Sequence, residues 1–152
     1  MSLPPQERDI GHEKEPQGPQ VLIVDDDREL ANLIPLALGH LTNRLKVVYT
    51  AREALELISQ TDRPPDDLAL VDYRLGGQSG VDVAKALKEK SDTTYIALMT
   101  GGIEEVTEKY SPEYLSEMGI VQVIQKPFSI RKITGLVEHI ASVRQERESF
   151  HQ

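Results

Sequence analysis

From Gln20 onward the chain alternates short apolar runs, rich in β-branched residues, with longer stretches whose apolar residues recur at helical spacing, and this alternation restricts the fold more than any other feature. Val21-Leu22-Ile23-Val24 reads as a strand buried on both faces. Leu30, Leu33, Ile34, Ala37, Leu38 and Leu41 then fall on one helical face, with Asp27 as N-cap and Pro35 expected to kink the helix or leave one carbonyl unpaired. Leu45 to Tyr49 is a second strand, followed by a helix turning Ala51, Ala54, Leu55 and Ile58 inward. Arg63-Pro64-Pro65 breaks the chain before a third strand, Leu68 to Val71. A loop from Asp72 to Gln78 leads to a helix with Val83, Ala84 and Leu87 inward and Lys85, Lys88, Glu89 and Lys90 outward. Tyr95 to Met99 is the fourth strand. Ser111-Pro112 starts a short fourth helix that runs to Met118 and closes at Gly119. Val121 to Ile124 is the fifth strand, and a last helix from about Ser129 carries Ile133, Leu136, Val137 and Ile140 before fading into Arg144 to Glu148. Five βα units predict an α/β fold, a doubly wound five-stranded parallel sheet with five flanking helices, because parallel strands need right-handed crossovers.

One domain over residues 20–147 is expected, between a polar, proline-bearing tail over 1–19 and a short polar tail over 148–152. The 152 residues include no cysteine, so thiolate metal sites, disulfides and cysteine nucleophiles are excluded, and a cytoplasmic location is the default. Apolar runs such as Val21 to Val24 and Ile96 to Met99 are too short to span a membrane. A formal net charge of -8 works against direct binding to nucleic acid.

In an open parallel sheet, ligands bind beyond the carboxyl ends of the strands. There the sequence places Asp25, Asp26 and Asp27, then Thr50, Asp72, Thr100 and Lys126. Two carboxylates about 4 Å apart repel by roughly 1 kcal/mol in bulk water and about 4 kcal/mol at an effective dielectric of 20, so the cluster calls for a proton or a metal. Oxygen ligands with room for water suit Mg²⁺, and Lys126 can balance the remaining charge. An ammonium, a hydroxyl, free backbone N–H groups and a divalent ion together can hold a transferring phosphoryl group. Asp27 is read as a helix cap only. His12, His40, His139 and His151 lack metal-ligand spacing, and no Walker loop or dinucleotide fingerprint is present.

Val21 to Asp27, Leu70-Val71-Asp72-Tyr73-Arg74-Leu75 with Gly80, Ala97 to Gly101, and Lys126-Pro127-Phe128 together resemble the receiver domains of bacterial two-component response regulators, a CheY-like family. The resemblance implies a flavodoxin-like sheet of strand order 2-1-3-4-5. It implies Asp72 as the residue phosphorylated by a histidine kinase or phosphotransfer protein, and Asp25, Asp26, Asp72 and the backbone carbonyl of Arg74 as Mg²⁺ ligands. Thr100 would be the switch hydroxyl, Gly101 a backbone contact to the phosphoryl group, and Lys126 its ionic partner, commonly after which the X-Pro bond is cis. Downstream would stand a partner protein, an output domain on a longer chain, or a phosphorylation-dependent dimer.

Three departures from the family pattern bear on output. Val123 stands where an aromatic is frequent, the stretch from Gly101 to Gln125 is longer than usual, and Gly76 replaces a common proline, with Gly77 expected to loosen the loop further. The side chain of Arg74 is expected at the mouth of the site, where it would affect water access. Two rival readings are a phosphorylation-independent interaction module of the same fold and a metal-dependent phosphatase, which would need a further acid–base group or a lid. No output domain is expected after the last helix, so the reading is a stand-alone regulator, a relay intermediate or a receiver taken from a longer protein.

Overall fold

The computed structural model describes residues 15–150. Among the described residues the strands are β1 (Gln20–Val24), β2 (Arg44–Val48), β3 (Leu68–Asp72), β4 (Arg74–Leu75), β5 (Gln78–Ser79), β6 (Tyr95–Thr100) and β7 (Ile120–Gln125). The helices among them are α1 (Arg28–Leu38), α2 (Ala51–Ile58), α3 (Gly80–Lys90), α4 (Ile103–Lys109), α5 (Pro112–Glu117) and α6 (Ile130–Phe150). The main sheet is parallel throughout, in the order β2-β1-β3-β6-β7. This is the expected 2-1-3-4-5 arrangement, and β4 and β5 form a separate antiparallel hairpin.

Alternation along the central strands builds two cores. Val21, Ile23, Leu68, Leu70, Ala97 and Met99 face α1 and α6, where Ala31, Ile34, Leu38, Ile133, Val137 and Ile140 meet them. Leu22, Val24, Ala69, Val71, Ile96 and Leu98 face the other helices, through Ala54, Ile58, Val83, Ala84, Leu87, Val106 and Leu115. Each fully buried Val, Leu or Ile side chain contributes about 1.5–3 kcal/mol, so these layers fix the strand ends on which the site is built.

Several details differ from the sequence reading. Leu33 and Leu55 point outward, because each lies about 100° around its helix from the buried stripes Ala31-Ile34-Leu38 and Ala51-Ala54-Ile58. Pro35 sits within α1, which continues to Leu38. A sixth helix, α4, precedes the expected one; Pro112 lacks the N–H that one continuous helix would need, and Ser111 caps a new start by accepting from the Tyr114 N–H. The loop after Asp72 is a hairpin: Gly76 and Gly77 have φ of 57° and 88°, the positive values that a two-residue type I′ turn requires. Helix α6 runs on through Phe150, beyond the expected boundary at 147. Residues 15–19, assigned to the N-terminal tail, lie against the domain, with Gln17 N–H on Asn43 Oδ1 at 2.7 Å and Arg144 donating to the Gly18 carbonyl at 2.8 Å. Residues 1–14 and 151–152, and with them His12 and His151, lie outside the described residues.

Candidate functional site

The carboxyl edge of the sheet brings the expected residues together. Asp25 and Asp26 follow β1, Asp72 ends β3, Thr100 ends β6, and Lys126 follows β7. Asp25 is fully buried, Thr100 and Asp72 are buried, and Asp26 is exposed at the rim. Ligand oxygens of Asp25, Asp26 and Asp72 all lie within 4.8 Å of one another. Lys126 Nζ donates to Asp25 Oδ2 at 2.7 Å and lies 3.2 Å from Asp72 Oδ1. The other Asp25 oxygen accepts from the Asp27 N–H at 2.9 Å. The Lys126-Pro127 peptide is cis.

Other candidates stand outside this cluster. Asp27 caps α1 by accepting from the Leu30 N–H, as expected. Thr50 is likewise a cap, accepting from the Glu53 N–H at the start of α2. His40 follows α1 and His139 lies in α6, away from the acidic cleft.

One lysine faces three carboxylates, and the charge is unbalanced. Burial pushes the Asp72 pKa up to about 7, the neighbouring charge of Asp25 adds to this, Lys126 opposes it, and Asp26 raises it further. Burial works against the charge of Lys126, but its bond to Asp25 and the attraction of Asp25 and Asp72 outweigh that, and its pKa lies above the usual lysine value. A cluster of hard oxygens whose charge one lysine does not balance fits a divalent ion.

The strand end that carries Asp72 is held from below. Gly80 N–H donates to the Tyr73 carbonyl at 2.7 Å, and a Cβ on Gly80 would meet the Asp72 carbonyl oxygen at 2.1 Å, so only glycine allows α3 to start this close. An open cleft above it is lined by Asp26, Asp72, Arg74, Thr100, Glu105 and Lys126, with Gly101 and Gly102 on one wall. The Arg74 side chain is at the mouth, as expected, and pairs there with Glu105 of α4. Glu105 and Gln125 escaped the sequence reading. Glu105 belongs to the helix that was not foreseen, and Gln125, which bonds the Gly101 carbonyl and the Ile103 N–H, was signalled only by its place beside Lys126.

A family model described as the response regulator receiver domain matches residues 21–138. The chain belongs to this family. Regulatory protein VanR of Enterococcus faecium is 35% identical over 72% of this chain and 44% of its own length. The transcriptional regulatory protein CpxR of Escherichia coli is 29% identical over 80% of this chain and 48% of its own. This receiver chain thus spans less than half the length of either relative. Among solved structures, the receiver domain of Francisella response regulator 1452 superposes with a TM-score of 0.66 at 26% identity, covering 84% of this chain and 99% of that one. The fold and the two-component assignment read from the sequence therefore stand.

Proposed function

We propose that this receiver accepts a phosphoryl group on Asp72 from the phosphohistidine of a sensor kinase or phosphotransfer protein. One Asp72 carboxylate oxygen attacks phosphorus, the P–N bond breaks, and the histidine nitrogen leaves with the bonding pair, giving an acyl phosphate. Water later hydrolyses it to the carboxylate and inorganic phosphate. A Mg²⁺ ion held by Asp25, Asp26, Asp72 and the Arg74 carbonyl would neutralise charge on the carboxylates and the phosphoryl oxygens. Lys126, fixed between Asp25 and Asp72, offers its ammonium to a phosphoryl oxygen. Thr100 donates its hydroxyl, and the Gly101 backbone supplies a further contact.

The observation that carries this reading is a buried Asp72 whose carboxylate still lines an open cleft, 3.2 Å from an ammonium and grouped with two other acids. The cytoplasm is the compartment this chemistry implies. Phosphorylation would bias the loop after Thr100 and the face of α5, β7 and α6 toward a downstream protein, an output domain on a longer chain, or a second copy. A phosphatase would need a group that passes protons. Glu105, the further carboxylate among the described residues lining the cleft, is held below its usual pKa first by its bond to Arg74, which makes it a poor one.

Beryllofluoride with Mg²⁺ tests the reading, because it mimics the phosphoryl group on an aspartate. The protein has five tyrosines and no tryptophan, so tyrosine fluorescence is the natural signal. A saturable change that requires Mg²⁺ and disappears in Asp72→Asn is expected. No response from folded wild-type protein would favour the phosphorylation-independent module.

A further inference from the structure

The peptide unit between Gly101 and Gly102 is anchored at both ends. Its carbonyl accepts from Gln125 Nε2 at 2.8 Å, and its N–H donates to Thr100 Oγ1 at 3.0 Å. Gln125 Nε2 also donates to the Lys126 carbonyl at 2.8 Å, while Gln125 Oε1 accepts from the Ile103 N–H at 3.0 Å. One side-chain amide thus holds three backbone groups around Thr100 and Lys126. Its orientation follows from its partners, since a flipped amide would set NH₂ against the Ile103 N–H and an oxygen against two carbonyls.

Helix α4 depends on this contact. Its N-cap is Gly102, which has no side chain to satisfy the first N–H groups of the helix, and Gln125 supplies the missing acceptor from β7. The backbone beneath is already paired, with Lys126 N–H on the Thr100 carbonyl at 2.7 Å. The Gln125 side chain is therefore not part of the sheet pairing, in which the backbone of Gln125 takes part opposite Thr100. What it fixes is the loop between Thr100 and α4.

We infer that Gln125 is a positioning residue, which holds the Thr100 hydroxyl where it accepts from the Gly102 N–H, through the peptide unit that the two side chains share. This rests on the reading that Asp72 accepts phosphate. On this inference, the Thr100 hydroxyl turns toward a phosphoryl oxygen on Asp72 either by leaving the Gly102 N–H or by taking that peptide with it. Gln125 opposes the second route, because moving the peptide breaks its bonds to Gly101 and Ile103. Loss of Gln125 frees the loop and favours the phosphoryl-bound arrangement.

The test compares wild type with Gln125→Met, which keeps the side-chain length and removes the amide, by titrating beryllofluoride at saturating Mg²⁺. Two hydrogen bonds of ordinary net strength predict binding about tenfold tighter in Gln125→Met. Affinity for Mg²⁺ alone should change less than about twofold, because Gln125 is not among the clustered carboxylates. In the Mg²⁺-free protein, the Gly102 and Ile103 amides should exchange hydrogen faster in the variant. In a Thr100→Val background, with no hydroxyl to hold, the gain should vanish. Equal or weaker beryllofluoride binding by Gln125→Met overturns the inference, as does a full gain that persists without the Thr100 hydroxyl. If Gln125→Met fails to fold, Gln125→Asn, whose amide is one carbon shorter, is read in the same way. Failure of wild type to bind beryllofluoride is a different result, which removes the phosphate reading and this inference with it.

Discussion

Asp72 sits under an electrostatic load that the fold imposes. Its folded pKa of about 7 is raised first by burial and next by Asp25. A carboxyl with a raised folded pKa keeps a proton that the unfolded chain has already lost. Stability of the metal-free protein should therefore fall as pH rises from about 4 to about 7, and stay at the lower level above that. Thermal melts in chelator across this range should show the decline in wild type and a flatter profile in Asp72→Asn, with the variant the more stable at pH 8. Equal stability of the two at pH 8 would mean that Asp72 carries no such load. Lys126 poses the opposite case, since its ammonium is the charge that balances the fully buried Asp25. Lys126→Met leaves that carboxylate unpaired and should cost about 3 kcal/mol in urea unfolding at neutral pH. A loss below about 1 kcal/mol would show that water reaches Asp25.

At the scale of elements, what could be read from the sequence depended on how much surface each element buries. Four consecutive apolar residues at Val21 to Val24, or at Leu68 to Val71, admit few placements other than a strand covered on both faces, and those strands fell where expected. Helix α4 escaped because Val106 is the one buried residue in it, too little to mark a periodic stripe. The β4–β5 hairpin escaped because its strands are two residues each and Gly76-Gly77 suits a loose loop as well as a tight turn. Gly80 was visible as a motif position, but its reason is a close approach that only the packed structure reveals. In Gly80→Ala the added methyl would press on the Asp72 carbonyl, so α3 or β3 must shift; a loss of about 2 kcal/mol is expected, with weaker Mg²⁺ binding. Unchanged Mg²⁺ affinity would show that Asp72 is placed independently of α3.

Across the whole molecule, charge is divided between the two edges of one sheet. At the amino edge, Arg63 satisfies buried Asp66 with two hydrogen bonds and Arg144 lies 3.7 Å from an Asp67 oxygen, so each of these acids has a basic partner. At the carboxyl edge three carboxylates cluster and Lys126 pairs with two of them, Asp25 and Asp72. The sequence announced this edge because residues that follow strands in a parallel sheet must meet there, whatever the loops between them do. Gln125 and Glu105 were not announced, since their roles depend on where a side chain reaches across a loop. The central claim is that the surplus negative charge is matched by a divalent ion and makes Asp72 a phosphate carrier. Intact mass after incubation with acetyl phosphate and Mg²⁺ measures it most directly. Wild type should gain one phosphoryl group, chelator should prevent the gain, and Asp72→Asn should show none; a gain that persists in Asp72→Asn, or no gain in wild type, would contradict the account.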